Sequence, residues 1–405
     1  MIMHSIRRTC QSALRNSHGF GGQCNVSRRA FSRSVARSKA SIDDYSGGLP
    51  VFLEPSSPEL SSLLATINSQ VLLPEHLTKD QKRLVYKQKY QAKLETEPVE
   101  VTIGDVTLPL VPLDRNTLPN RLNSLRDVTN KAQTTADWEN VVRVLEGFHS
   151  AGIAVKPEWQ EMVVRKLIEK GHHNIVLKAL QRVKATGLRL SNYHVTYTVL
   201  KGAHDRAAES DWDAEETAKA LRYSRLVAEL MEEEEHLAQP TKLPLSEGQS
   251  RSDWRSRPFV VAVPTELAAV AAQKHSGNVD VVKTLASRLV YALKQDVDTA
   301  LDSVAASSTK SEADFKTKTI QRNAFHAHCS RLLELLVVSN ALRTSQAVLG
   351  AEMPLAAEAA EHQGRIRKVM DEGLQALPKL QNRGGQVFQS PYPAYLKEQL
   401  EKVQA

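Results

Sequence analysis

The side chains that could perform chemistry in this chain are few, and their spacing does not assemble a catalytic site. The sequence contains no phosphate-binding loop, dinucleotide fingerprint, His-Glu-x-x-His pair or nucleophile elbow. His326, His328 and Cys329 come closest to a metal-binding set. On a helix, residues i and i+2 face apart, so the two histidines would not converge on one ion. We therefore predict no metal, no cofactor and no enzymatic activity.

A basic segment between residues 78 and 95 is the best candidate for binding RNA. Its spacing of Thr78 and Gln81 predicts a capping box that opens one helix. The candidate binding residues in it are Lys79, Lys82, Arg83, Tyr86, Lys87, Lys89, Tyr90 and Lys93. Cations contact phosphates and tyrosines stack on bases. The alternative is an ordinary solvated helix anchored by its apolar residues Leu84, Val85 and Leu94.

The net charge of the whole chain does not by itself indicate nucleic-acid binding. The formal charge is +7, from 53 Lys and Arg against 46 Asp and Glu. Residues 1–31 contain five Arg, no Lys and no acid, so the rest of the chain has 48 minus 46, or +2. Any RNA contact must therefore come from a local patch.

The first 31 residues have the composition of a mitochondrial transit peptide. They are rich in Arg and Ser, and the first acidic residue of the chain is Asp43. In the segment 28–32, Arg29 lies two residues before Phe31, as in a matrix-protease site, which predicts a new N-terminus at Ser32. Cleavage would leave Cys329 as the one cysteine, which suits the reducing mitochondrial matrix. The alternative is a basic tail without a targeting role.

Composition and periodicity predict an all-α protein with one small β-hairpin. The chain is rich in helix-forming residues, and only 5% of it is aromatic. Apolar residues alternate over 99–103 and again over 106–110, with Gly104-Asp105 between them, which indicates a hairpin. No apolar stretch reaches the ~20 residues that span a bilayer.

From residue 119 onward the pattern is helical, and two helices match at an offset of 35 residues. The matched pairs are Val141 with Val176, Val144 with Ala179, Leu145 with Leu180, Phe148 with Val183, and Gly152 with Gly187. A repeat at this period predicts stacked helical hairpins, because one hairpin cannot bury its apolar face alone. The repeated glycine suits the left-handed backbone at a helix C-terminus.

This arrangement resembles pentatricopeptide repeats. The segment 194–200, His-Val-Thr-Tyr-Thr-Val-Leu, is similar to the start of that family's first helix, and Gly277-Asn278-Val279-Asp280 is similar to its inter-helix turn. The resemblance covers under half of the chain, with units near 119–156, 157–191, 192–236 and 264–297. It implies an α-solenoid.

The resemblance also implies a mode of RNA recognition. In pentatricopeptide arrays, one polar residue early in the first helix and one before the repeat boundary read a base together. The matching positions here are Thr198 with Asn192 or Ser191. In the preceding unit the matching early residue is about Glu161, which departs from the pattern because an acid repels phosphate.

These patterns divide the chain into seven segments. They are a transit peptide (1–31), a disordered linker (32–56), N-terminal helices with a β-hairpin (57–118), helical repeats (119–236), a linker (237–258), C-terminal helical repeats (259–380) and a tail (381–405).

Two functions compete for such a protein. The one we favour is a non-catalytic helical-repeat protein of the mitochondrial matrix that acts in mitochondrial gene expression, through mitochondrial RNA or the mitoribosome. It predicts a positive groove. The alternative is a protein-binding scaffold or an assembly factor for a respiratory complex, which predicts an apolar or mixed-charge groove.

Overall fold

The computed structural model of the chain describes residues 48–237, 254–390 and 392–404. The predicted transit peptide, its protease site and most of the linker predicted over 237–258 lie outside the described residues. In the described part, helices dominate and strands form two short antiparallel hairpins, β1–β2 and β3–β4. The predicted all-α class is confirmed.

The N-terminal region consists of short helices and the predicted hairpin. Its elements are α1 (Pro58–Thr66), α2 (Leu73–His76), α3 (Lys79–Tyr86), α4 (Gln91–Thr96), β1 (Glu100–Ile103) and β2 (Val106–Pro109). A π-helical stretch, Ile67–Leu72, joins α1 to α2, so helical structure continues from Pro58 to His76. The hairpin turns at Gly104, whose φ of 62° favours glycine.

The central region is a series of helical pairs. Its helices are α5 (Arg121–Lys131), α6 (Thr135–Ser150), α7 (Pro157–Glu169), α8 (His173–Gln181), α9 (Val183–Thr186), α10 (Tyr193–Glu209) and α11 (Ala214–Leu230). Local signals start these helices: Asn120 and Asp213 cap α5 and α11 with their side chains, and Pro157 opens α7. All eight apolar residues matched at the offset of 35 are buried. Gly152 and Gly187 both have a φ of 67°, as predicted for helix ends.

The C-terminal region is built from longer helices. They are α12 (Pro258–His275), α13 (Val279–Ser308), α14 (Lys318–Leu349), α15 (Ala356–Gln381) and α16 (Tyr392–Gln404), with β3 (Asn382–Arg383) and β4 (Gln386–Val387) between the last two. Helix α13 extends as far as Ser308, because Leu301 and Val304 continue its buried face. In its described residues, the tail predicted over 381–405 contains a hairpin and the helix α16.

The helices stack in two rows. In the first row α5 contacts α7, α7 contacts α10, α10 contacts α12 and α12 contacts α14. In the second row α6 contacts α8, and α8 contacts α11. The first helix of each pair therefore lies against the first helix of the next, which is the arrangement predicted for stacked hairpins.

Among the described residues, α14 belongs to the one segment that is long and apolar enough to cross a membrane, Lys318–Glu352. The protein itself buries 67% of the apolar window in that segment. Such burial is typical of a core helix of a soluble domain.

Candidate functional site

The basic segment expected to form one helix is broken into two. The capping box at its start is present, since Thr78 and Gln81 exchange side-chain to backbone hydrogen bonds of 2.9 and 3.4 Å. The helix ends at Tyr86, and Lys87 has an extended backbone. In a continuous helix the Val85 carbonyl would accept from the amide of residue 89, but it accepts from Leu113 at 3.0 Å. The tertiary contact therefore replaces the next helical turn.

The segment carries four exposed cations, and Arg115 joins them through its contact with Tyr86. These five residues are here called the α3 patch: Lys79, Arg83, Lys87, Lys89 and Arg115. Residues 79–93 contain six cations and one acid, a balance of +5. Arg83 pairs with Asp80 at 2.9 Å, whereas the three lysines of the patch form no ion pair within the described residues.

The remaining predicted cations contribute less to this patch. Lys82 is half-buried and lies 3.8 Å from Glu75. The side chain of Lys93 lies outside the described residues.

The two tyrosines of this segment already have cations on their rings. The Arg115 guanidinium lies 4.8 Å from the ring centroid of Tyr86, and Lys89 Nζ lies 4.7 Å from that of Tyr90. Arg115 follows the hairpin in sequence, and sequence patterns did not single it out. One face of each ring is therefore engaged, which favours phosphate contact over base stacking at this patch.

The two residues expected to read a base are close to each other but are engaged in the protein. Asn192 caps α10 by accepting from the His194 amide at 3.1 Å, and its Nδ2 donates to Gln160 Oε1 at 3.3 Å. Thr198 is buried and donates to Glu161 Oε1 at 3.4 Å. The predicted register of α7 against α10 therefore brings Glu161 and Thr198 together, and a base would have to displace these hydrogen bonds.

A cleft of about 1590 Å³ lies beside the first row of helices. Its walls come from α7, α10, α13 and α14, and residues of α16 close part of it. The seven acidic lining residues are Glu158, Glu161, Glu169, Asp205, Glu209, Asp296 and Glu334. The five basic ones are Arg165, Lys201, Arg206, Arg257 and Arg331. The cleft is thus mixed in charge with a small acidic excess, and it is not the positive groove expected for RNA.

An aromatic cluster holds one end of this cleft. The Arg257 guanidinium lies 4.4 Å from the ring centroid of Tyr193 and 4.8 Å from that of Trp254. Glu334 lies against the same residues. Burial raises the pKa of Glu334 to about 7, although the neighbouring Tyr193 hydroxyl and the charge of Arg257 favour its ionised form.

A buried charge cluster joins α10 to α12. His204 is 2% exposed, and its Nε2 lies 3.4 Å from Glu266 Oε2, while its Nδ1 lies 3.4 Å from Asp205 Oδ1. Burial by itself lowers the pKa of His204, but the charges of Glu266 and Asp205 and the hydrogen bond to Asp205 raise it to about 9. The imidazolium is therefore the stable form at neutral pH, and it links the central helical pairs to the C-terminal helices.

The same cluster extends to the C-terminal helix α16. The Tyr395 hydroxyl donates to Asp205, and Lys201 Nζ lies 4.5 Å from the ring centroid of Tyr395. Leu396 is buried beside them. These contacts dock α16 at the mouth of the cleft, a position that sequence periodicity could not indicate.

The histidines that resembled a metal set do not converge. His328 is buried and bonds Ser307 Oγ at 2.6 Å and the Gly373 carbonyl at 3.0 Å. His326 faces the ring of Tyr392, with centroids 5.5 Å apart. Within the described residues no three His, Cys, Asp or Glu side chains form a cluster suited to a metal ion.

Comparison with known proteins identifies similar chains. The family model described as mitochondrial ribosomal protein mS27 (Mrp13) matches residues 29–402. The small ribosomal subunit protein mS27 of Neurospora crassa is 26% identical over 266 residues, which are 64% of this chain and 66% of that protein. The matched part thus spans just under two thirds of the curated relative.

Proposed function

Since the chain belongs to the mitochondrial ribosomal protein mS27 family, we propose that it is a non-catalytic protein of the mitochondrial small ribosomal subunit. The observation that carries this proposal is the family match, which extends over residues 29–402 and so includes both helical regions. Family membership also confirms the predicted location in the mitochondrial matrix and the predicted class, a protein of mitochondrial gene expression.

The α3 patch is the surface that we propose for ribosomal RNA. Its cations are exposed, and its lysines are not neutralised by acids in the described residues. Because cations contact phosphates without reading sequence, the patch would position the protein on an RNA backbone. Lys82, Tyr86 and Tyr90 from the predicted set would support it from its edge, and Lys93 stays a candidate whose side chain lies outside the described residues.

A finer proposal concerns the helical pairs. The side-by-side first helices and the shared helix ends at Gly152 and Gly187 support a pentatricopeptide-like array. In such an array Asn192 and Thr198 would read a base, and this remains a proposal that needs their present hydrogen bonds to open. The polar residues of the cleft favour protein contact instead.

A purely binding role follows from the same proposal. Buried titratable groups with raised pKa values, such as His204 and Glu334, lie against carboxylates, tyrosines and arginines of the protein itself. Perturbed groups of this kind also occur in structural networks, not only in active sites. The alternative function is that of an assembly factor for a respiratory complex, and membership of the mS27 family argues against it.

Sedimentation of the tagged full chain in mitochondrial lysates tests the proposal. We expect it to migrate with the small ribosomal subunit on a sucrose gradient, and to leave those fractions when RNase digests the particle. Migration with a respiratory complex, or as a free protein in intact lysate, would refute a ribosomal role.

Charge-reversal variants test the proposed RNA surface. We expect Lys79→Glu/Lys87→Glu/Lys89→Glu to reduce the fraction of protein in the particle. A matched control reverses three exposed lysines elsewhere, Lys178→Glu/Lys274→Glu/Lys310→Glu. An equal loss for both variants would show that net charge, not the α3 patch, governs association.

A further inference from the structure

The cleft is larger than a typical site for a small molecule. Its volume of about 1590 Å³ exceeds the ~300–1,000 Å³ usual for such sites. It is open along α7 and α10, with Glu158 and Glu209 exposed on these two helices. This size and shape suit a segment of polypeptide better than a cofactor.

The cations of the α7 and α10 wall are already neutralised. The pairs are Arg165 with Glu161 and Glu169, Lys201 with Asp205, and Arg206 with Glu216. Glu158 and Glu209 have no cationic partner within the described residues. The charges that this wall still offers to a ligand are therefore negative.

The opposite wall contains one paired cation, one cation without an ion pair in the described residues, and several polar groups. Arg257 lies 3.6 Å from Asp296, whereas Arg331 only lies near enough to Glu334 for its charge to favour the ionised form of that carboxyl. In the same cleft the hydroxyl of Tyr197 is shielded from solvent and lies beside Ser330, and both residues line the cleft.

We propose that this cleft binds an extended segment, rich in lysine and arginine, of a neighbouring protein. The inference rests on the proposed function, because proteins that border RNA carry such segments to neutralise phosphates. The free carboxylates of the cleft would pair with the cations of the segment, and the tyrosines would contact its aliphatic stems. RNA does not suit the cleft, because the unpaired carboxylates repel phosphate.

Fluorescence anisotropy with a labelled peptide tests the site on the full chain. The probe is Lys-Leu-Lys-Gly-Lys-Leu-Lys, and a second probe replaces each Lys by Glu. We expect the basic probe to bind, and Glu158→Gln/Glu209→Gln to weaken it by about three- to tenfold, since exposed ion pairs contribute little individually. The acidic probe should not bind.

A matched control removes the same charge away from the cleft. Glu229 and Glu372 are exposed helical carboxylates on α11 and α15, so Glu229→Gln/Glu372→Gln should leave binding of the basic probe unchanged. Equal weakening by both double variants, no binding of the basic probe, or equal binding of the acidic probe would each overturn the proposal.

Photo-crosslinking in the assembled particle separates this proposal from the proposed function. His194 is exposed at the cleft and can be replaced by a photoreactive phenylalanine. We expect crosslinks to a peptide with clustered Lys and Arg. Particles that contain the chain but crosslink it only to RNA, or to no neighbour, would refute the cleft proposal and leave the ribosomal role intact, whereas absence from the particle would refute that role.

Discussion

Replacing His204 should destabilise the protein most below pH ~6.5, and the destabilisation should decline as the pH rises towards the pKa of this residue in the folded state. The pKa of the buried imidazole is about 9, because the attraction of Glu266 and Asp205 exceeds the cost of burial, whereas an unfolded histidine has a pKa of ~6.5. The difference of about 2.5 pKa units corresponds to about 3 kcal/mol of the free energy of unfolding.

The sign of the pH dependence follows from the direction of this shift. The folded chain binds the proton more tightly than the unfolded chain, so the contribution is complete below pH ~6.5 and is lost as the pH rises through about 9. His204→Gln cannot carry the charge. It should therefore cost about 3 kcal/mol near neutral pH or below, and much less above pH ~10.

Urea unfolding of the purified full chain, with its variants, measures this effect from pH ~6 to ~10. The matched control is His328→Gln, because His328 is also buried but burial lowers its pKa. The decrease in the free energy of unfolding caused by His328→Gln should not change with pH above ~7, because this histidine is neutral there in both the folded and the unfolded state. If the decrease in the free energy of unfolding caused by His204→Gln is also independent of pH from ~7 to ~10, the argument for a buried imidazolium is wrong.

Three further predictions follow from particular contacts. Lys87→Ala/Lys89→Ala should weaken RNA binding and make the slope of log affinity against log salt shallower by about 0.9 for each lost phosphate contact, and an unchanged slope in filter binding would contradict this. Tyr395→Phe removes the hydroxyl that bonds Asp205, so hydrogen exchange in α16 should accelerate by about tenfold, while the exposed Tyr291→Phe should change nothing. Asn140→Ala removes both hydrogen bonds between this side chain and the Leu53 backbone, of 2.7 and 3.0 Å. It should lower the free energy of unfolding by about 1–3 kcal/mol in urea titration. An unchanged free energy would show that these bonds do not hold the segment before α1 against α6.

Features governed by neighbours along the chain could be predicted well. The β-hairpin follows from alternation around a Gly-Asp turn, and its register pairs Val101 with Leu108. The repeat at an offset of 35 residues predicted buried positions such as Val141 and Val176, because a helix must bury one apolar face. The helix ends at Gly152 and Gly187 follow from the left-handed backbone that glycine tolerates.

Elements that depend on distant contacts were predicted less well. The sequence of the basic segment predicts one helix. The hydrogen bond from the Leu113 amide to the Val85 carbonyl, a contact between distant parts of the chain, explains why α3 ends at Tyr86. Likewise α16 could not be placed from its own composition, because its docking depends on Asp205, which lies 190 residues away from Tyr395.

The candidate site divides in the same way. The cations of the α3 patch were found from their density in sequence, but Arg115 was missed because it joins them only in space. In the sequence, His204 and Glu266 resemble ordinary polar residues of two separate helices, and no local pattern connects them. Their burial against each other made them a cluster with a shifted pKa.

The sequence by itself determined the class of the molecule: a helical-repeat chain whose hydrophobic period, turn residues and caps each act over a few residues. Only the tertiary structure decided the charge of the cleft and the partners of its side chains, because electrostatic pairing depends on distances of a few ångströms between residues far apart in sequence. A local pattern therefore specifies which helices form, and packing specifies the surface that they present.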